Sequence, residues 1–330
     1  MNIYLPSGYL DIARLLNVGM PFIFCVGGRG IGKTYGALKY VLDNDIKFLL
    51  LRRTQSQTDL INKPEFSPLK PVDPELVTKS VSKYNAAIMR DDKILGYTAA
   101  LSTISNMRGF DASDVEMLIY DEFIPEKHER TLKHEATAFL NAYETINRNR
   151  ELQGKKPLQV LALANAMDLA NPIFLELGIV NNIERMLDKG RSNIYIDRDR
   201  GLLVAICSNS PISKKKEETA LYKLTRKNEF SRMALNNEFA FEEIGIIKSQ
   251  PLKEYKKLVT IGEITIYSHK SERRYFVSEH ESGSGDTFGA GDIERVRFQK
   301  KYYYLWTAYL DYRISFESYL TQVLFEKYFS

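Results

Sequence analysis

Short, uninterrupted apolar runs recur along the first two thirds of the chain. Phe22 to Val26, Phe48 to Leu51, Val115 to Tyr120, Leu158 to Ala164 and Leu202 to Ile206 are too short for helices of ordinary length and show almost no polar face. That is the pattern of strands buried on both sides. Between them the apolar spacing widens to a helical period over Tyr9 to Asn17, Tyr35 to Leu42 and Thr131 to Ile146, where Leu132, Ala136, Phe139, Leu140 and Tyr143 share one stripe. Asn85 to Met89 and Ile94 to Thr98 flank the turn Arg90-Asp91-Asp92-Lys93 and predict a β-hairpin, and Ser192 to Ile196 predicts a further strand. Residues 54–80 hold Pro64, Pro68, Pro71 and Pro74 and read as loop with little regular structure. Strands alternating with helices predict an α/β fold: a mostly parallel sheet between helices, with the hairpin as an insertion.

The pattern changes after residue 208. Lys214, Lys215, Lys216, Lys223, Arg226 and Lys227 outnumber Glu217 and Glu218, which suggests a basic, partly helical linker over 209–232. Residues 233–330 read as a smaller, β-rich α+β domain with strands in Lys257 to Tyr267 and Arg274 to Ser278. Glu281 to Asp292 carries Gly283, Gly285, Gly289 and Gly291 and reads as a flexible surface loop. Arg295 to Trp306 interleaves basic and aromatic residues, suited either to a phosphate backbone or to core packing, and an amphipathic helix ends the chain. A first domain of 1–208, a linker and a second domain of 233–330 fit a length of 330 residues.

Composition narrows this little. Lys and Arg number 46 against 42 Asp and Glu, so the net charge of +4 does not by itself announce a nucleic-acid binder. The longest apolar runs are far too short to span a bilayer, and no signal-type segment opens the chain; a cytosolic protein without a membrane partner is expected. Cys25 and Cys207 lie near the ends of apolar runs and read as small buried hydrophobes, while His128, His134, His269 and His280 show no metal-ligand spacing with them.

The chemistry concentrates at Gly27-Gly28-Arg29-Gly30-Ile31-Gly32-Lys33-Thr34, which has the form G-x-x-x-x-G-K-[ST] between a predicted strand and a predicted helix. Several backbone N–H groups must converge on a polyphosphate, and glycines let the chain bend that closely. Lys33 is expected on the outer phosphates and Thr34 on Mg²⁺, with ATP the implied nucleotide. A second signal is the apolar strand ending in Asp121-Glu122. Asp121 suits the Mg²⁺ shell and Glu122 a general base that polarises water. Asn165 follows the next apolar strand and reads either as a γ-phosphate sensor or as a turn former. Arg148 and Arg150 lie just past the Thr131–Ile146 helix, where they complement its dipole or act as an arginine finger on a neighbouring subunit. Arg52 and Arg53 end a strand and face either phosphate or solvent.

The glycine-rich loop, Leu-Leu-Arg-Arg on the following strand, Met-Arg-Gly before a strand ending Tyr-Asp-Glu-Phe, and Asn-Arg-Asn-Arg-Glu ahead of Leu-Ala-Asn-Ala together resemble the viral DNA-packaging ATPases, the large-terminase-type motors. Within that family the order and spacing are similar to the compact packaging ATPases of short-tailed phages with protein-primed genomes, the phi-twenty-nine type, over about Phe22 to Pro172. The resemblance implies a homomeric ring, pentameric in that family, docked on the portal of an empty capsid in an infected bacterial cell and driving double-stranded DNA inward with ATP. A structural RNA between motor and capsid is left open.

Carried over by position, Lys33 and Thr34 bind nucleotide and Mg²⁺, Asp121 holds the metal, Glu122 is the base, Arg148 is the trans-acting finger with Arg150 its rival, and Arg108 acts at the subunit boundary. The C-terminal domain is expected to have an RNase H-like fold without nuclease activity. Its candidate first strand, Ile264 to Ser268, carries no acid, and Asp286, Asp292 and Asp311 are scattered. DNA contacts are expected at Lys214 to Lys227 and at Arg52–Arg53. Rival readings are a ring helicase or other nucleic-acid translocase, a P-loop kinase for a small acceptor, and an ATP-gated assembly factor without turnover.

Overall fold

The computed structural model describes residues 1–107, 112–125, 132–165, 169, 171–188, 192–207, 210–225, 247 and 250–329. The chain divides into two compact units, Met1–Ala240 and Phe241–Ser330. No helix among the described residues is long and apolar enough to cross a membrane.

Unit 1 is built on a nine-stranded sheet with the order β3-β4-β5-β2-β6-β7-β1-β9-β8. Its strands are β1 (Phe22–Gly27), β2 (Phe48–Arg52), β3 (Val77–Ser80), β4 (Ala86–Arg90), β5 (Lys93–Ala100), β6 (Met117–Asp121), β7 (Gln159–Ala164), β8 (Ile194–Asp197) and β9 (Leu202–Cys207). β5, β2, β6, β7, β1 and β9 run parallel, while β3, β4 and β8 close the two edges antiparallel. Parallel strands put all their carboxyl ends on one edge of the sheet. That edge gathers the end of β1, Arg52, Asp121 and the residue after β7.

Side chains alternate between the two faces of β1. Ile23 and Cys25 enter an aliphatic core with Leu38, Val41, Leu50, Ile119 and Leu161, capped by α1 (Ile12–Leu16) and α2 (Lys33–Asp43). Phe24 faces the other way, with its ring 5.4 Å from Phe123 and 5.5 Å from Phe174. Both cysteines are buried.

The expected hairpin is present, with β4 and β5 antiparallel from Ala86–Thr98 to Arg90–Lys93, and β5 also pairs in parallel with β2, so β3, β4 and β5 extend the main sheet. One expectation needs correction. Residues 54–80 are not mere loop, since they hold β3 and the helix α3 (Gln55–Ile61). The Thr54 hydroxyl accepts from the Gln57 N–H and the Gln57 side chain accepts from the Thr54 N–H, a reciprocal cap that starts the helix.

Arg53 also departs from the sequence reading, which offered it to DNA. It is 1% exposed and forms a double contact with Glu135, at 2.6 Å from Nε and 3.1 Å from Nη2. Glu135 opens α4 (Glu135–Asn147) and also accepts from the Tyr120 hydroxyl at 3.3 Å and the Leu132 N–H at 3.2 Å. This buried pair ties the end of β2 to the start of α4, whose far end leads to Arg148.

In unit 2 a five-stranded sheet has the order β13-β10-β11-β12-β14. β10 (Tyr255–Ile261), β11 (Ile264–His269) and β12 (Tyr275–Ser278) are antiparallel neighbours; β13 (Asp286–Phe288) and β14 (Ile314–Phe316) add parallel edges. β13 therefore lies within the stretch expected to be a surface loop. The helices Asp292–Leu310 and Tyr319–Phe329 deliver Phe298, Leu305 and Phe325 onto Val259, Ile264 and Val277. For Phe298, Tyr302 and Leu305 core packing wins over phosphate contact. Asp286 pairs with Lys301 and accepts from the Tyr302 hydroxyl at 2.6 Å, and Asp311 pairs with Arg313 at 2.7 Å. Among the described residues no three His, Cys, Asp or Glu side chains gather as they would around a metal ion.

Arg53→Met strands the Glu135 carboxylate in the core and is expected to lower unfolding free energy by about 3–5 kcal/mol. Adding Glu135→Gln, which removes the charge and leaves an amide oxygen to accept from the Leu132 N–H, should recover part of that loss in urea unfolding. A double variant no more stable than the single one would show that the pair is not what holds α4.

Candidate active site

β1 ends at Gly27 and the chain wraps through Gly28 to Gly32 into α2. Gly30 has φ +69° and Gly32 φ +86°, a left-handed backbone that other residues adopt only with strain. The loop is pinned from outside, because the Leu10 N–H donates to the Ile31 carbonyl at 2.9 Å and Ile31 itself is buried.

Lys33 opens α2 with its ammonium folded back under the loop. It donates to the carbonyls of Gly27 at 2.7 Å and Gly28 at 2.8 Å, and to Asn165 Oδ1 at 3.2 Å. The Thr34 hydroxyl donates to both oxygens of Asp121, at 3.1 and 3.0 Å. Gly30, Gly32, Lys33, Thr34, Asp121 and Glu122 line, with Asn165, a cleft of about 230 Å³. The parallel order of β1, β6 and β7 brings these residues together across more than 130 positions of sequence.

Arg52 stands opposite the carboxylates. One guanidinium nitrogen is 2.8 Å from Asp121 and the other 2.5 Å from Glu122. The sequence reading placed Arg52 before phosphate, solvent or DNA, and the structure corrects this: its side chain is 12% exposed and engaged with carboxylates. β2 and β6 are direct neighbours, a pairing that motif spacing does not reveal.

Burial pushes the Asp121 carboxyl up, and the Glu122 charge adds to this; Arg52, the Thr34 hydroxyl and Lys33 pull it back. Glu122 is a different kind of acid. Its side chain is half exposed, and it sits just past β6 with φ +59°. Such a backbone costs of order 1–3 kcal/mol and persists only where the surroundings enforce it.

A second, larger cleft of about 1050 Å³ adjoins the loop on its outer side, between Tyr9, Ile12 and Asn17 of the N-terminal segment and Tyr35, Gly36 and Tyr40 of α2. The N-terminal segment thus does two things, packing Leu15 into the core and walling this cleft.

Arg148 and Arg150 do not line the small cleft. Arg148 caps α4 with φ +48°, its N–H on the Glu144 carbonyl at 2.9 Å, and its side chain is exposed. Arg150 is turned back on its own chain, donating to the carbonyls of Ser113 at 3.0 Å and Val115. Arg108 lies outside the described residues.

Sequence reasoning missed Lys216. It was assigned to a basic, partly helical linker and to a stretch offered to DNA; residues 210–225, which follow α5 (Pro172–Glu176), α6 (Val180–Asp188) and β9, form two short helices within unit 1, α7 (Pro211–Lys216) and α8 (Ala220–Leu224). The Lys216 ammonium reaches the phosphate loop and donates to the Arg29 carbonyl.

The sequence model of the Podovirus DNA encapsidation protein (Gp16) family matches residues 3–267. The chain belongs to the Gp16 encapsidation family. Members similar to it include the DNA packaging proteins of Bacillus phage phi29, 29% identical over 247 residues, and Bacillus phage B103, 27% identical over 235. The phi29 match covers 72% of this chain and 65% of the relative, so the aligned stretch spans just under two thirds of the relative's length. The fold is shared with a chain of the bacteriophage Phi-29 viral genome packaging motor assembly, at TM-score 0.70 and 18% identity over 99% of both chains. A chain of the Phi-28 gp11 DNA packaging motor is also similar, at TM-score 0.60 and 21% identity over 99% and 97%. The fold shared with these chains therefore includes both units.

Burial pushes the Lys33 ammonium down to about 8, against the opposing charge of Asp121. Above that pH the loop holds a partly neutral amine, and a triphosphate placed against it would favour the charged form. Net proton uptake on ATP binding should be larger at about pH 9 than at about pH 7, and affinity should fall as pH rises through that interval. Calorimetry in buffers of different ionisation enthalpy reads the uptake. Buffer-independent heats at the higher pH would mean that Lys33 is charged before the ligand arrives.

Proposed function

We propose that this chain hydrolyses ATP and couples the hydrolysis to movement of double-stranded viral DNA into a preformed capsid, as a homomeric ring at the portal in the host cytoplasm. The observation that carries this is the glycine loop with Lys33 and Thr34 facing the buried Asp121 and the half-exposed Glu122, in a chain of the Gp16 encapsidation family.

Each residue has a task that its surroundings suit. The loop N–H groups and Lys33 bind the outer phosphates, and the adjoining cleft beside Tyr9 and Tyr35 has room for base and ribose. Thr34 and Asp121 offer the hard hydroxyl and carboxylate oxygens that Mg²⁺ takes beside water and phosphate. The metal, when bound, neutralises charge building on the phosphate oxygens. Glu122, held by Arg52 yet open to solvent, is placed to take a proton from the attacking water once that contact loosens.

Arg148 and Arg150 differ in a way that favours Arg148 as the finger reaching a neighbouring subunit. Arg148 is exposed at the end of a helix anchored in the core, whereas Arg150 is half-buried against the Ser113 and Val115 carbonyls. The exposed Lys214, Lys215 and Lys223 are suited to sequence-independent phosphate contacts. Unit 2, with three antiparallel strands and helices on one face, is read as an RNase H-like domain without nuclease activity that meets DNA or portal.

Phosphate release should rise when duplex DNA is added, and Glu122→Gln should lower turnover about 10²–10⁴-fold while ATP still binds. In rings mixed from wild-type and Arg148→Ala subunits, activity should fall more steeply than the mutant fraction. Hydrolysis indifferent to duplex DNA, or a strictly proportional loss in mixed rings, would contradict the proposal. Strand separation during turnover would point to a helicase instead.

A further inference from the structure

Lys216 is the last residue of α7 and lies 187 positions from Arg29, whose carbonyl accepts its ammonium. A Cβ on Gly30 would fall on that ammonium, so the lysine head rests directly on the phosphate loop. α7 is fixed there at its other end. The Ser210 hydroxyl donates to the Gly8 carbonyl at 2.8 Å, Ser213 is buried, and Ile212 packs against the aliphatic core. Lys216 therefore does not reach the loop by the chance of a long side chain on a mobile segment.

Its charge is poorly satisfied. An ammonium has three donors, and among the described residues no carboxylate pairs with Lys216. Its neighbours Lys214 and Lys215 point to solvent, while Lys216 is partly covered. Burial holds its ammonium below the usual lysine range, and its charge also disfavours that of Lys33. Two ammonium groups thus touch one glycine loop, Lys33 at the Gly27 and Gly28 carbonyls and Lys216 at the Arg29 carbonyl beside Gly30, which lines the small cleft. Such an arrangement is unfavourable by itself and becomes favourable when a polyanion lies against both.

We infer that Lys216 is a second in-cis cation of the nucleotide site, which leaves the Arg29 carbonyl to pair with the outer phosphates of a bound di- or triphosphate. The inference rests on the reading of the loop as a nucleotide site. It also gives α7 a role at the loop beyond linkage.

The test is equilibrium binding of fluorescent ATP, ADP and AMP analogues to the full chain and to Lys216→Ala, Lys216→Arg and Lys33→Ala. Lys216→Ala is expected to weaken ATP and ADP binding about tenfold and AMP binding little, as loss of one charge-assisted contact to the outer phosphates requires. Lys216→Arg, which keeps the charge, should recover most of the affinity, and the ligand-free melting temperatures of both variants should match the parent.

Equal weakening of ATP, ADP and AMP, or an unchanged ATP affinity in Lys216→Ala, would overturn the inference; the former would leave Lys216 a structural tie on Arg29. Should Lys216→Ala prove unstable, Lys216→Met supplies the same comparison with the aliphatic stem kept. ATP binding in the parent that Lys33→Ala leaves intact would instead overturn the reading of the loop itself.

Discussion

Asp121 is a carboxylate that water scarcely reaches, and the site is organised around the charge it carries. Burial works against that charge, so compensating groups must surround it, and they come from two elements: Thr34, which donates to it, and the nearby charge of Lys33 at the start of α2, and Arg52 at the end of β2. Each would lie elsewhere if the strand order were different. The parallel sheet is what delivers them, because β2 and β7 flank β6 and all end on one edge. A buried charge that loses one donor is costly. The same interactions that build the site therefore fix the loop, the carboxylate pair and the arginine relative to one another before any ligand arrives.

A second buried pair extends this order outward. Arg53 follows Arg52 directly and points into the core, where Glu135 anchors the first turn of α4. Neighbouring arginines thus make two separate contacts: one holds Glu122, the other the first turn of the helix that ends at Arg148.

Much of this was legible in the sequence, for identifiable reasons. The glycine loop is readable because a phosphate cradle restricts backbone geometry to a few residue types at fixed offsets. The strands of the parallel sheet are readable because burial on both faces removes polar residues from them. Arg52 was ambiguous because its partners lie 69 and 70 positions away on a strand that is not its neighbour in sequence. Lys216 was invisible for the same reason, as a basic run looks alike whether it faces solvent or a loop.

The helix at Gln55 was missed although Thr54 and Gln57 spell a reciprocal cap; the prolines downstream dominated that reading. β13 is only three residues long and sits among glycines, too short for any periodicity to register. Arg148 and Arg150 have identical side chains, and only the positive φ of one and the carbonyl partners of the other tell them apart.

The charge frame around Asp121 makes one requirement that can be measured directly. Nucleotide affinity should increase when Mg²⁺ is added to the parent protein, and Asp121→Asn should abolish that increase while metal-free affinity stays within a few fold. An Asp121→Asn variant whose ATP affinity responds to Mg²⁺ as the parent's does would show that the buried carboxylate is only a structural partner of Thr34 and Arg52, and that the site is organised around something else.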